Sequence, residues 1–302
     1  MLAVDDLHSI YWEESGAADG VPLIFLHGGP GGALGPVARQ YFDPTVWRIV
    51  YIHQRGAGRS TPRGETRRNT TQLLISDLEL VRAHLGIERW VVAGGSWGST
   101  LALAYAQEHP GVCLALLLNG VFLGRQQDID WFFTGSRDFF PEAWDAFVGF
   151  LPENERDDFF HGYARRILDF DPAVHGPAVQ AWSLFEGSIA ALVPSATVLE
   201  TFQDRDFALS YARMNIHYFS NRCFLGAAPI LSRMDRLADL PAILVHARYD
   251  LATAYRSAVE LARAWRSAKL VTVADAGHSR LEPANIRALI EAQAELAERL
   301  TR

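Results

Sequence analysis

The sequence predicts an α/β fold, a mostly parallel central sheet flanked by helices and interrupted by a helical insertion, and three observations predict it. Short apolar runs rich in Val, Ile and Leu alternate with amphipathic stretches; a serine among glycines stands between one such run and a helix; and the alternation stops near residue 121 and resumes after about residue 225. Apolar runs of this length, bounded by Gly, Asn or polar turns, mark strands buried on both faces. Strands alternating with helices imply parallel pairing, because the chain must cross back over the sheet between one strand and the next.

In chain order, Pro22 to Leu26, Trp47 to Ile52, Trp90 to Ala93 and Leu114 to Leu118 are the first predicted strands. Thr71 to Leu85 sets Leu74, Leu78, Val81 and Leu85 at helical spacing, with Asn69 or Thr70 available as N-cap. From Val121 the strand-like runs give way to aromatic residues, acids and prolines, among them Trp131, Phe132, Phe139, Phe140 and Trp144, and this stretch is expected to be helical and irregular. Strands return at Ala242 to His246 and Lys269 to Val273, with helices near Tyr255 to Ser267 and from Pro283. The expected organisation is a discontinuous core, residues 1–120 and 226–302, with a helical cap, residues 121–225, inserted between its halves.

Composition narrows the function classes. The 302 residues are 49% hydrophobic, enough for a sizeable core. A net charge of −7 without a basic stripe argues against a nucleic-acid partner. Cys113 and Cys223 lie far apart in apolar stretches, as buried free thiols do, and offer neither a disulfide framework nor zinc spacing. The amino terminus lacks a basic then apolar leader pattern, and no apolar run reaches the roughly 18 residues of a membrane span. The expectation is a cytoplasmic protein with no membrane partner.

The run Trp90 to Ala93 leads into Gly94-Gly95-Ser96-Trp97-Gly98-Ser99, and a helical stretch rich in Ala and Leu follows until His109-Pro110-Gly111. Strand, sharp turn and helix in that order form a nucleophile elbow, in which small flanking residues make room for a strained serine. The helix start adds partial positive charge beside an attacking Oγ. After Pro22 to Leu26 comes His27-Gly28-Gly29-Pro30-Gly31-Gly32, a loop that can bring backbone N–H groups close to a reacting oxygen. The candidate oxyanion donors are an N–H of Gly28 or Gly29 and that of Trp97; Pro30 has none to give. A dinucleotide-binding loop starting at Gly29 and Gly31 would need glycine where Leu34 stands.

With these motifs the chain resembles the proline iminopeptidases and their relatives of the α/β-hydrolase fold. The matching stretches are His27-Gly28-Gly29-Pro30-Gly31, Gln54-Arg55-Gly56-Ala57-Gly58-Arg59-Ser60, Gly94-Gly95-Ser96-Trp97-Gly98-Ser99, His246-Ala247-Arg248-Tyr249-Asp250 and Ala276-Gly277-His278-Ser279, in family order across nearly the whole chain. The segment Ala181-Trp182-Ser183-Leu184-Phe185-Glu186 and the stretch His217-Tyr218-Phe219 are similar as well.

In this fold the triad runs in the order Ser, acid, His. Asp250 follows the run Ala242 to His246, and His278 follows Lys269 to Val273, so both belong on the rim where Ser96 emerges. Asp275 precedes the histidine by only three residues and better suits a loop cap. His246 is expected to pack in the core and His27 to brace its own turn. The expected catalytic set is Ser96 as nucleophile, His278 as base and Asp250 as its orienting acid, without metal or organic cofactor.

The resemblance implies removal of an amino-terminal proline, whose charged amine the family holds with cap glutamates. One matches Glu186; where the second is expected the chain has Asn215. A further departure is His53, where the family has aspartate. Phe132, Phe139 and Phe140 are candidates for the wall of a proline-ring pocket. The substrate expected is a small peptide, or an amide or ester; a carboxylesterase or amidase with a different acyl group is the alternative that Asn215 motivates, and a ligand-binding protein without turnover the third.

Overall fold

The computed structural model describes residues 1–193, 195–226 and 229–301, so Pro194 of the expected cap and Ala227, Ala228 and Arg302 of the expected core lie outside the described residues. Its strands are β1 (Leu2–Ala3), β2 (Ser9–Gly16), β3 (Val21–Leu26), β4 (Trp47–His53), β5 (Trp90–Ser96), β6 (Cys113–Val121), β7 (Ala242–Ala247) and β8 (Ala268–Val273). They form one 8-stranded sheet in the order β1-β2-β4-β3-β5-β6-β7-β8, parallel from β4 to β8 and antiparallel where β2 meets β1 and β4.

Because successive side chains point to opposite faces, each buried strand feeds two cores. Ile24, Val50, Val92, Leu116 and Leu244 pack with α1 (Thr71–His84), α2 (Trp97–Glu108) and α9 (Tyr255–Ala264). Leu23, Ile49, Val91, Leu117 and Ile243 pack on the other face against α10 (Pro283–Thr301) and the turn Pro36–Tyr41. Thr70 caps α1, its hydroxyl accepting from Leu73 N.

Between β6 and β7 the described residues form helices and turns without strands: α3 (Gln126–Asp130), α4 (Pro141–Gly149), α5 (Phe159–Ile167), α6 (Pro172–Ile189), α7 (Ala196–Gln203) and α8 (Arg205–Ser220). Aromatic rings hold them together. Phe147 stacks on Tyr163 at 4.3 Å and on Phe185 at 4.5 Å, and Phe133 meets Trp182 edge-on at 5.3 Å. Such pairs add about 0.5–1.5 kcal/mol each beyond their buried area.

The strand order itself selects a place for chemistry. The chain goes from β3 to β4 on one side and then returns to place β5 on the other, so the carboxyl ends of β3 and β5 flank a point where the winding reverses. In open parallel sheets ligands bind in the crevice at such a reversal. The His27 loop and Ser96 both emerge there.

Behind this crevice the loop after β4 is fixed by Arg55, whose Nε and Nη2 donate to the two oxygens of buried Asp77 at 2.6 and 2.7 Å and whose Nη1 reaches Asp5 at 2.5 Å. A buried pair stripped of one partner leaves an uncompensated charge. Arg55→Met is therefore expected to cost about 3–5 kcal/mol in urea unfolding, and adding Asp77→Leu to recover most of it.

Candidate active site

Ser96 ends β5 with φ 56° and ψ −127°, a region that L-residues occupy at a cost of about 1–3 kcal/mol. Its surroundings enforce the turn. A Cβ on Gly98 would lie 2.2 Å from the carbonyl oxygen of Leu26, and one on Gly94 would lie 2.3 Å from that of Gly98. Only glycine lets the elbow press against the end of β3. Ser99 Oγ donates to the Ser96 carbonyl at 2.6 Å and accepts from Phe122 N at 3.0 Å, tying the turn to the end of β6.

Trp97 opens α2, so its N–H has no partner one turn back and remains available at the helix start. Gly29 lines the cavity beside Ser96, and a Cβ on Gly28 would come within 3.1 Å of Ser96 Cβ. This loop is braced from behind. His27 Nδ1 donates to Gly28 O at 2.9 Å while its Nε2 accepts from Gln54 N at 3.0 Å. Gln54 Nε2 donates to His27 O at 2.9 Å, and its Oε1 accepts from the Trp97 indole at 2.8 Å. One glutamine thus links both groups of expected oxyanion donors. Burial, with the nearby His53, pushes the His27 imidazole down to about 3, so it stays neutral in its bracing role. His53, where aspartate was expected, likewise accepts from Arg59 N at 2.7 Å through Nδ1.

His278 Nδ1 stands 2.8 Å from Asp250 Oδ2. Asp250 also accepts from Thr253 N at 2.6 Å and from Thr253 Oγ1 at 2.8 Å. Burial raises this carboxyl's pKa, but the facing His278, the nearby His246 and the Thr253 N–H outweigh it and hold the group below its ordinary range. An ionised Asp250 makes Nδ1 the donor and leaves Nε2 bare, the tautomer of a base. His246 is buried on β7, its Nε2 donating to Thr253 O at 3.0 Å and its Nδ1 accepting from Val121 N at 2.9 Å. The His278 loop is pinned by Asn285, which donates to the carbonyls of Gly277 and Ser279 at 2.9 and 2.8 Å. Asp275 is exposed, and Glu282 rather than Asp275 accepts from Gly277 N.

One cavity is lined by Gly29, Ser96, Thr253 and His278 from the sheet side and by Phe132, Glu186, Phe202, Tyr211 and Phe219 from the helices. Glu186 on α6 is 3% exposed and both of its oxygens are buried without a well-formed hydrogen bond. Burial raises its carboxyl to about 8, while the neighbouring Trp182 indole and Tyr211 hydroxyl pull weakly the other way. Carboxyl oxygens buried without well-formed hydrogen bonds favour a hydrogen-bond donor or cation beside them.

Other expected pocket residues lie elsewhere. Phe139 is 66% exposed, and Phe140 packs on the aromatic core without lining the cavity. Asn215 does not line it either; its Nδ2 donates to Pro30 O and Tyr211 O, both at 2.9 Å. The sequence reasoning missed Tyr211, one turn before Asn215 on α8, and Thr253, whose Asp-x-x-Thr spacing from Asp250 is a local turn signal. Among the described residues no cluster of three or more His, Cys, Asp or Glu could hold a metal ion, and no helix is long and apolar enough to cross a membrane.

A family model described as alpha/beta hydrolase fold matches residues 21–283. A protein of Leptolyngbya boryana named as a probable proline iminopeptidase is 47% identical over 97% of this chain and 92% of its own. Proline iminopeptidases of Xylella fastidiosa and Arabidopsis thaliana are each 44% identical, over 96% and 93% of this chain and 93% and 75% of theirs. Among solved structures, an esterase from Exiguobacterium antarcticum aligns with TM-score 0.65 at 15% identity, over 98% of this chain and 96% of that one. The enol-lactonase of Burkholderia xenovorans LB400 aligns with TM-score 0.59 at 19% identity, over 99% of both. At that identity these two speak for the fold.

Glu186 makes a checkable contribution to stability. In the unfolded chain it ionises near 4.5, whereas the folded protein keeps its proton to about 8. The folded state therefore binds more protons between those values, and its stability falls as pH rises from 4.5 to 8. Glu186→Gln mimics the neutral acid. It is expected to leave Tm unchanged at pH 4 and to raise it by about 3 °C or more at pH 8; equal Tm values at pH 8 would mean that the carboxyl is not held neutral.

Proposed function

The chain belongs to the α/β-hydrolase fold family and, within it, to the proline iminopeptidases, and on that premise we propose that it releases amino-terminal proline from peptides through an acyl-enzyme on Ser96. His278 Nε2 takes the Ser96 proton as Oγ attacks the prolyl carbonyl, and Asp250 stabilises the imidazolium that forms. The developing oxyanion is met by the N–H groups of Gly29 or Gly28 and of Trp97. His278 then returns the proton to the leaving amine, and water, activated by the same histidine, hydrolyses the prolyl ester. The 2.8 Å contact between His278 Nδ1 and Asp250, and the strained Ser96, support these roles.

The observation that carries the substrate reading is Glu186, a buried carboxyl with no well-formed hydrogen bond in the same cavity as Ser96 and His278. In proline the charged amine and the scissile carbonyl sit on one carbon. An amine held at Glu186 presents that carbonyl to the serine, and Phe132 and Phe219 are at hand to cover the ring. The helical segment, residues 121–225, acts in this reading as the cap that sets specificity. Two buried unpaired cysteines fit a reducing cytoplasm as the place of work.

Glu186 enters binding protonated at pH 7 and leaves it ionised against the ammonium, so substrate binding releases about one proton. The KM of a prolyl arylamide is accordingly expected to fall as pH rises from 6 toward 8, and Glu186→Gln to raise it about 10- to 100-fold and flatten that dependence.

Three substrates separate the readings: a prolyl arylamide, its N-acetyl form and a nitrophenyl ester. The free amine is expected to be preferred over its blocked form by at least about 100-fold in kcat/KM, and Ser96→Ala to abolish turnover of all three to within about 1,000-fold of background. Equal cleavage of the blocked compound would overturn the prolyl reading and favour an esterase or amidase. Survival of ester turnover in Ser96→Ala would overturn the nucleophile.

A further inference from the structure

We propose that Asn215 is a positioning residue for the oxyanion loop: its side-chain amide ties helix α8 to Pro30 and so holds the neighbouring Gly29 N–H at the reacting carbonyl, instead of meeting the substrate amine. The inference goes beyond the prolyl reading and rests only on its use of the loop as oxyanion donor.

Asn215 is 1% exposed and its two amide protons are both spent inside the protein, on Pro30 O and Tyr211 O, each at 2.9 Å. Two carbonyl acceptors fix which way the amide faces. A carboxylate at this position would set negative oxygen against both carbonyls, so the asparagine suits the loop's approach as an aspartate would not. Its Oδ1 makes no well-formed hydrogen bond, its side chain neighbours the Tyr211 hydroxyl that also faces Glu186, and Tyr211 rather than Asn215 lines the cavity.

The Pro30 carbonyl accepts no other hydrogen bond among the described residues. Pro30 itself has no N–H with which to anchor the segment. The adjacent residues press together as well: a Cβ on Gly31 would lie 2.6 Å from Met214 Cβ and 3.1 Å from Ser210 O, so the loop lies directly on α8. Met214 is held in turn by Asn69, whose Nδ2 points to its sulfur at 3.2 Å. From the opposite side the loop is held through His27 and Gln54. The Gly29 N–H therefore sits between a core brace and a helix brace, and Asn215 is the polar part of the second. Oxyanion donors work only at about 2.7–3.1 Å from the oxygen they stabilise, and loss of one costs about 100- to 1,000-fold in kcat.

The test compares Asn215→Leu and Asn215→Asp with the parent on nitrophenyl acetate, which has no amine, and on a prolyl arylamide, together with inhibition by a neutral aryl trifluoromethyl ketone that adds to the serine. The expected result is a fall in kcat of about 10-fold or more on both substrates by a common factor, a matching loss of ketone affinity, and KM for the arylamide within about twofold. Unchanged ester kcat and ketone affinity with a raised arylamide KM would make Asn215 an amine ligand and overturn the proposal; no change in any of them would overturn it equally. Thermal unfolding confirms that each variant is folded, and if the leucine variant is not, the near-isosteric aspartate carries the same comparison. Should the parent fail to cleave the arylamide, the prolyl reading falls while the ester and ketone still decide this one.

Discussion

The approach of Gly98 to the carbonyl of Leu26 is the constraint around which the site is arranged. It allows β5 to turn sharply into α2 beside the end of β3, and it leaves Ser96 at φ 56°. The same closeness brings the loop that follows β3 alongside the serine, where Gly29 lines the cavity. A single methyl group at Gly98 would have to separate the two strand ends, and with them the serine from the loop. The strain at Ser96 persists because the sheet on both sides of β5 over-determines it.

Two carboxyl groups in this site are pushed in opposite directions by their surroundings. Asp250 meets Thr253 and His278, and its pKa is lowered in spite of burial; Glu186 meets aromatic rings and bare cavity, and burial raises it to about 8. The first is fixed as an anion that orients an imidazole. The second is held neutral by burial, and in the proposed reaction it ionises against the substrate ammonium. Opposed environments of this kind are how one fold assigns different tasks to the same functional group. The histidines divide in the same way: buried His27 and His246 are lowered in pKa and act as hydrogen-bonding braces, while half-buried His278 faces the cavity.

Much of this was legible in the sequence because parallel strands buried on both faces leave continuous apolar runs. The runs beginning at Pro22, Trp47, Trp90, Leu114, Ala242 and Lys269 correspond to β3 through β8. Strands β1 and β2 were not foreseen. In β2, Glu13 and Glu14 are partly exposed and pair with Arg39 and Arg48, so an antiparallel strand near the edge carries charge in place of an apolar run. Local spacing predicted the elbow, since its requirement for small residues is written within five positions. The placement of Asn215 was not legible, because its partner Pro30 is 185 residues away and nothing near either residue announces the contact. Among the aromatic residues composition could not say which turn inward: Phe132 lines the cavity, and Phe139 faces outward.

In the proposed reaction Ser96 carries the attacking oxygen and His278 is its base. Labelling with a fluorophosphonate, followed by peptide mapping, tests this most directly. The predicted result is one equivalent of label on Ser96 with parallel loss of activity, and labelling slowed by orders of magnitude in His278→Ala. Label on another residue, or activity that survives complete labelling of Ser96, would contradict it.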